Sequence, residues 1–113
     1  MESNRVINAL AALAQDSRLK IFRLLVQSGP RGLNVGKIAE SVAISPATLS
    51  FHLKELCLAN LLTWIQEGRF VIYTVNFAAM NELIGFLTEN CCGGNPCSPV
   101  SVCGGIGIDR KKE

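Results

Sequence analysis

Cysteines near the end of the chain are the residues whose chemistry is easiest to name. Four of the five thiols in the sequence are Cys91, Cys92, Cys97 and Cys103. Adjacent cysteines rarely bond to each other, because the geometry of such a disulfide is strained. Two neighbouring thiolates are instead suited to one small, thiophilic ion. The cluster therefore predicts a metal or metalloid site, with thiol redox chemistry as the alternative.

The identity of the ion depends on how many sulfur atoms can reach it. Side chains of Cys91 and Cys92 would diverge by about 100° on an intact helix, so the helix must fray there for both to bind one ion. The two glycines that follow permit fraying, and Cys97 can then fold back as a third ligand. Three thiolates without His, Asp or Glu fit trivalent arsenic or antimony, whereas zinc normally takes four ligands. Cys103 is the alternative third ligand, although its longer loop costs more closure entropy. If Cys103 instead binds as a fourth ligand, zinc or cadmium is also a candidate for the ion.

Composition and charge limit the classes of function. The 113 residues suffice for one domain, and nearly half are apolar. The net charge of +2 is too small for a strongly basic nucleic-acid binder, so any DNA binding must come from a local patch. No apolar run reaches membrane-spanning length, and the start, MESNRVINAL, lacks the layout of a secretory signal. We therefore expect a cytoplasmic protein without a membrane partner, whose tail thiols are ligands or redox groups rather than structural disulfides.

The part of the chain before the cysteines has the periodicity of a small helical domain with one hairpin. Apolar residues recur at helical spacing in five segments, and two runs rich in β-branched and aromatic residues flank a glycine. Five helices are expected. The first covers about 3–14, the second runs from a cap at Asp16 to the Gly29–Gly32 turn, and the third covers Val35–Val42 after Asn34. The fourth starts at Ser45, and the fifth covers about 77–90 after Asn76. The expected strands cover 61–66 and 70–75. We expect a domain over 1–90 and a mobile Cys/Gly-rich tail over 91–113.

The helix that starts at Ser45 carries a surface suited to a DNA major groove. Ser45 is a good N-cap, and Pro46 suits the first helical position. One face is mostly apolar and is expected to be buried; it carries Leu49, Leu53, Leu56, Cys57 and Asn60. The opposite face combines small and hydroxyl side chains with one aromatic ring and one cation. The expected DNA contacts are Ser45, Ala47, Thr48, Ser50, Phe51, His52, Lys54 and, at the hairpin tip, Arg69.

Individual roles follow from position and side-chain chemistry. Phe51 points outward, where it can touch a thymine methyl group. His52 lies at the edge of the exposed face and is expected to contact a phosphate rather than a metal. Cys57 shares the apolar stripe and is expected to be an inert core thiol. Arg69, beside a glycine at a hairpin tip, suits a minor groove or a phosphate, although a solvated turn residue is the alternative.

Two helices joined by a short turn and followed by a hairpin form a winged helix-turn-helix, a mainly α fold with a β-hairpin wing. The stretch SPATLSFHLKELCLANLL, followed by EGRFVIYTVN, resembles the DNA-binding part of the ArsR/SmtB family of bacterial metal-responsive repressors. The resemblance covers about 6–89. It implies a homodimer, packed through the first and last helices, that binds operator DNA and leaves it when metal binds. Apolar stripes on both helices independently favour that dimer over packing within one chain.

The sequence departs from part of that family. Members with a metal site at the third helix carry cysteine pairs there, whereas 33–37 has neither Cys nor His. A site between the last helices would need His, and 77–90 offers only Glu82 and Glu89. The tail therefore resembles that of arsenic-responsive members with a cysteine cluster after the last helix. The expected function is an As(III)- or Sb(III)-responsive repressor without an organic cofactor, and the alternative is a thiol-redox or Zn/Cd-responsive repressor of the same fold.

Other classes of protein fit less well. A small arsenate reductase would need a Cys-x5-Arg loop after a strand, but at that spacing Cys103 is followed by Asp109, and Arg110 comes one place late. An enzyme is therefore not expected. A metal carrier would leave the exposed face of the helix from Ser45 unexplained.

Overall fold

The structure is a computed structural model, and it describes residues 1–94 of the chain. Five helices and three strands make up this part. The helices are α1 (Ser3–Leu13), α2 (Asp16–Ser28), α3 (Val35–Val42), α4 (Pro46–Leu58) and α5 (Phe77–Leu87). The strands are β1 (Leu33–Asn34), β2 (Leu62–Glu67) and β3 (Phe70–Val75). Short 3-10 turns cover Gly29–Arg31 and Cys91–Gly94. The helix-turn-helix is α3–α4, and the wing is the β2–β3 hairpin.

The sheet has the strand order β1-β3-β2, with both pairs antiparallel. In the hairpin, Leu62 pairs with Val75 and Glu67 pairs with Phe70, which leaves a two-residue turn at the tip. Gly68 in that turn has a φ of 61°, a value that favours glycine. The predicted hairpin is confirmed. Strand β1 was not predicted, because two residues are too few to show an alternating pattern.

The core lies where α1–α4 meet the base of the wing. Its largest fully buried side chains are Ile21, Leu25, Ile38, Leu49, Leu53, Leu56 and Leu61. Gly32 allows the connection after α2 to approach β3 closely: its φ is 69°, and an added Cβ would overlap the main-chain carbonyl of Tyr73. The buried helical faces and the sheet therefore close over one core, with the α3–α4 unit on its surface.

Side-chain caps fix where several helices begin. Asn34, Ser45 and Asn76 each accept a hydrogen bond from the backbone N–H three residues later, as predicted. The predicted cap of α2 was wrong by one residue. Gln15 fills that position and accepts from the Arg18 N–H at 2.9 Å, so Asp16 is the first residue of the helix.

The end of α5 also differs from the prediction. A helix to about residue 90 was expected, but α5 ends at Leu87. Thr88 bonds back to the Ile84 carbonyl at 2.9 Å through its hydroxyl, and Asn90 has a left-handed φ of 57°. The 3-10 turn Cys91–Gly94 follows, where the start of an irregular tail was expected. Cys97 and Cys103 lie outside the described residues.

Helices α1 and α5 expose apolar side chains on the outside of the domain. Ile7 and Leu10 of α1 are 63% and 41% exposed, and Ile84 and Leu87 of α5 are 40% and 58% exposed. The inner faces of both helices reach the core through Val6, Ala9 and Leu83. Each terminal helix therefore retains apolar surface that the single chain does not cover. Among residues 1–94, no helix combines the length and the apolar character needed to span a membrane.

Candidate DNA interface and thiol cluster

The start of α4 is ordered by hydroxyl groups. Ser45 Oγ accepts from the Thr48 N–H at 3.4 Å and donates to Thr48 Oγ1 at 3.0 Å. Pro46 occupies the first helical position, where an N–H would have no partner within the helix. Both hydroxyls are at the surface, so this end of the helix presents polar groups held in fixed positions.

The two faces of α4 separate largely as the sequence predicted. Leu49, Leu53 and Leu56 are buried to 1% exposure or less, and the exposed residues of the outer face are Ala47, Thr48, Ser50, Phe51 and Lys54. Phe51 is 55% exposed, so much of its ring remains available for a contact outside the domain. Together with Ser45, these residues form the outer face of α4, a small, polar surface with one protruding ring and one cation.

Two side chains near this helix are placed differently from the prediction. Asn60 was expected on the buried face, but α4 ends at Leu58 and Asn60 is exposed with a left-handed φ of 65°. Its main-chain carbonyl accepts from Asn76 Nδ2 at 3.2 Å, so it joins the end of α4 to the cap of α5. Cys57 was expected to be an inert core thiol, but it is only half-buried. Burial still raises the pKa of its thiol, which keeps it protonated and weakly reactive.

His52 is the clearest correction to the predicted DNA contacts. It was expected at the edge of the exposed face, but its side chain is buried, with 7% exposure. Its Nδ1 atom lies 3.3 Å from Nη1 of Arg18, and its ring is tilted against Phe51 with centroids 5.6 Å apart. Burial lowers the pKa of His52, and the nearby Arg18 guanidinium lowers it further. The ring therefore faces the domain and is not placed to contact a phosphate.

Arg18 is a residue that the sequence analysis missed. It comes from α2, 34 positions before His52, and no spacing rule connects the two residues. Its Nε donates to the main-chain carbonyl of Ala12, near the end of α1. The guanidinium thus contacts two helices besides its own.

The wing extends away from the core and exposes large side chains. Arg69 is exposed at the tip, the place that the sequence predicted, beside Phe70, which is 57% exposed. Trp64 pairs with Tyr73 across the strands and remains 55% exposed. An arginine on a narrow two-stranded tip is suited to approach a groove edge or a phosphate.

The described part of the thiol cluster follows α5 after Thr88, Glu89 and Asn90. Cys91 is half-buried, and its N–H donates to the Thr88 carbonyl at 2.9 Å. Gly93 has a φ of 68°, and its N–H donates to the Asn90 carbonyl at 3.0 Å. Cys91 and Cys92 thus belong to a 3-10 turn outside the α-helix. Within residues 1–94, no three or more His, Cys, Asp or Glu side chains are grouped closely enough to hold a metal ion.

Comparison with known proteins connects this geometry with a family. The family described as "Helix-turn-helix domain" matches residues 13–63. The arsenical resistance operon repressor of Bacillus subtilis (strain 168) is 36% identical over 81 residues, which cover 72% of this chain and 73% of that protein. The chain belongs to the ArsR family. The winged helix-turn-helix fold and the class of transcriptional repressor predicted from the sequence are therefore confirmed.

Solved structures share the fold of this chain. HlyU from Vibrio cholerae N16961 is 29% identical, and it superposes with a TM-score of 0.64 over 81% of this chain and 99% of that chain. Mb0332 from Mycobacterium bovis, described as a homodimeric winged helix-turn-helix DNA-binding domain, gives a TM-score of 0.61 at 24% identity, over 83% of this chain and 87% of that chain. The ArsR fold of this chain is thus shared with a domain that forms homodimers.

Proposed function

We propose that this ArsR-family repressor binds operator DNA as a cytoplasmic homodimer and releases it when thiolates of its tail bind trivalent arsenic or antimony. The DNA-binding part of this proposal rests on the outer face of α4. It is capped at Ser45, combines small side chains with Phe51 and Lys54, and lies on the surface beside a wing with Arg69 at its tip. Such a helix can approach base edges closely, while the wing contacts the DNA outside the groove.

The contacts within this interface have different roles. Ser45, Thr48 and Ser50 carry hydroxyl groups that can bond to bases or phosphates, and Ala47 leaves room for close approach. Phe51 supplies an apolar surface for a thymine methyl group. The cations Lys54 and Arg69 neutralise phosphates, which supplies affinity without reading sequence.

Apolar surface on the terminal helices supports the homodimer. The exposed side chains of α1 and α5, defined above by Ile7, Leu10, Ile84 and Leu87, lie on the two helices that the ArsR/SmtB resemblance assigns to the interface. Burying such a surface in a second copy removes it from water and places two copies of α4 on one molecule. Two reading helices about 34 Å apart would then meet successive major grooves on one side of the duplex.

The inducer is proposed from the chemistry of the thiols. Cys91 and Cys92 lie in a 3-10 turn, which we expect to rearrange when both thiolates bind one ion. Gly93, already at a positive φ, makes such a change easy. Cys97 completes a three-thiolate site, with Cys103 as the alternative third ligand. The name of the B. subtilis relative, an arsenical resistance operon repressor, supports this choice of ion.

The test begins with the wild-type protein and a library of randomised, self-complementary duplexes under reducing conditions. We expect enrichment of a two-fold symmetric site and loss of binding when As(III) is added. Cys91→Ser, Cys92→Ser and Cys97→Ser should each bind the selected duplex but keep it in As(III), because a serine hydroxyl stays protonated and is a poor ligand for a soft ion. Cys103→Ser is the matched control and should respond as the wild type does.

The outcomes separate the alternatives. If Cys103→Ser fails to respond while Cys97→Ser responds normally, Cys103 is the third ligand. Normal responses of both Cys91→Ser and Cys92→Ser would refute a tail site. Release by an oxidant but not by As(III) would favour the thiol-redox alternative, and release by Zn²⁺ or Cd²⁺ alone would favour the divalent-metal alternative. A protein that enriches no duplex would refute DNA binding.

A further inference from the structure

The side chain of Arg18 joins three helices at one point. From α2, its Nε donates to the Ala12 carbonyl at 2.6 Å, and its Nη1 lies 3.3 Å from Nδ1 of His52 on α4. Ala12 belongs to the last turn of α1, where carbonyl groups lack partners within the helix. A cation at this negative end of the helix dipole is also favourable. Arg18 therefore completes the end of the proposed dimerisation helix and contacts the proposed DNA-reading helix.

We propose that Arg18 and an uncharged His52 form a link through which α1 sets the orientation of α4, and that protonation of His52 breaks this link and weakens DNA binding. This inference rests on the proposed DNA-binding function of α4. Neither residue needs to touch DNA: both are positioning residues, and the His52 ring packs against Phe51 of the outer face with ring centroids 5.6 Å apart.

The contact determines which form of the imidazole can take part. Arginine has only donors and stays charged, so the atom that faces Nη1 must be an acceptor. Nδ1 of His52 is therefore unprotonated, and the neutral ring carries its proton on Nε2. A second proton on the ring, at Nδ1, would leave two hydrogen-bond donors and two positive charges facing each other across the 3.3 Å between Nδ1 and Nη1 of Arg18.

Of the described residues that line the groove beside Arg18, one is acidic, Glu55, and could compensate for a charge on His52. Arg18 is the charge that acts on its pKa, and it acts in the same direction as burial. Glu55, one turn further along α4, lines a groove of about 360 Å³ together with Arg18, but forms no ion pair with it within 4 Å. The part of α1 that lines this groove carries only uncharged residues, Asn8, Ala11 and Ala12. An imidazolium ring would therefore repel the guanidinium, and the contact between α2 and α4 would open.

The chain allows an unusually clean test, because His52 is its single histidine. A change in DNA affinity between about pH 5.5 and pH 7.5 therefore points to one side chain, since carboxylates titrate lower and thiols higher. Binding of the fluorescein-labelled duplex selected by the wild-type protein is measured by anisotropy over this range. We expect the wild-type affinity to fall toward the acid end of this range, and to reach a loss of about tenfold, the effect of losing a hydrogen bond to a charged group, once the ring is fully protonated.

Three variants distinguish a link from a general loss of stability. His52→Asn places an amide oxygen near the position of Nδ1 and does not titrate, so it should bind as the wild type does at pH 7.5 and show no pH dependence. His52→Leu lacks the acceptor and should bind about tenfold more weakly at every pH. Arg18→Lys keeps the charge, but one nitrogen cannot reach both acceptors, so it should also bind more weakly. Lys20→Met, two positions along α2, is the matched control and should bind as the wild type does.

Nitrogen NMR of the single imidazole tests the link without DNA. We expect the Nε2–H tautomer at pH 7.5 in the wild type, and an imidazole that titrates below the ordinary histidine range. Arg18→Lys should raise the midpoint of this titration. A ring protonated on Nδ1 at pH 7.5 would overturn the link even if no duplex were selected, so failure of the inference and failure of the proposed function remain distinguishable. Wild-type affinity that is constant or rises on acidification, or a His52→Asn variant that keeps the wild-type pH dependence, would also overturn it.

Discussion

Replacing Lys54 or Arg69 with alanine removes a cation from the proposed DNA interface, and the size of the effect can be worked out. Lys54 lies on the exposed face of α4, and Arg69 lies at the exposed tip of the wing. Each phosphate neutralised by a protein cation adds about 0.9 to the slope of log affinity against log salt. Because a homodimer carries each residue twice, Lys54→Ala and Arg69→Ala should each reduce the slope by about 1.8.

This difference is large enough to measure. Between about 50 and about 200 mM NaCl, a slope difference of about 1.8 corresponds to roughly a 12-fold difference in lost affinity. Anisotropy titrations of the selected duplex across this range, at pH 7.5 under reducing conditions, give the slopes directly. Lys20→Ala is the matched control, because Lys20 is an exposed cation whose Nζ lies 3.3 Å from Asp16 on α2. Wild-type slopes in both interface variants would refute the assignment of phosphate contacts.

Four further predictions concern stability, assembly and pH. Gly32→Ala should lower the free energy of unfolding by about 3 kcal/mol or more in urea, because the added Cβ meets a main-chain carbonyl at a positive φ. Cys57→Ala should keep DNA binding and the As(III) response and lose about 1 kcal/mol of stability; a well-folded variant blind to As(III) would show that the sensor includes this thiol. Ile7→Glu should sediment as a monomer, whereas Leu58→Glu, at an even more exposed site outside α1 and α5, should remain dimeric. Because the pKa of His52 is lowered in the folded state, the unfolded chain binds a proton more readily than the folded chain does. The free energy of unfolding in urea should therefore be at its full value above about pH 6.5 and fall as the pH drops through the folded-state pKa. That decrease should be absent from His52→Asn.

The features that the sequence predicted well are those set by neighbouring residues. Caps at Asn34, Ser45 and Asn76 depend on a side chain and an N–H three residues away, so local chemistry decides them. The buried stripe of α4 follows from helical spacing, and the hairpin follows from alternation around Gly68. Each of these patterns repeats within a few residues and is therefore visible in a single sequence.

The features that the sequence did not predict depend on contacts between distant segments. His52 was placed at the edge of an exposed face by its helical angle, but Arg18, from another helix, holds its ring inside the domain. Strand β1 exists only because β3 offers a partner to two residues after the Gly32 turn. The early end of α5 depends on a hydroxyl that bonds back to the helix and on the left-handed conformation of Asn90, which asparagine tolerates but does not dictate. Such choices are made by tertiary packing.

Asn34 belongs to a strand and to a helix cap at once. It pairs with Ile72 in the sheet, while its Oδ1 accepts from the Lys37 N–H at 2.9 Å in the first turn of α3. The first turn of α3 and the wing strand β3 are therefore connected through this one residue. Arg69 lies three residues beyond Ile72, roughly 10 Å along the strand. A displacement of α3 would therefore shift β3, and with it the wing tip, by a comparable distance.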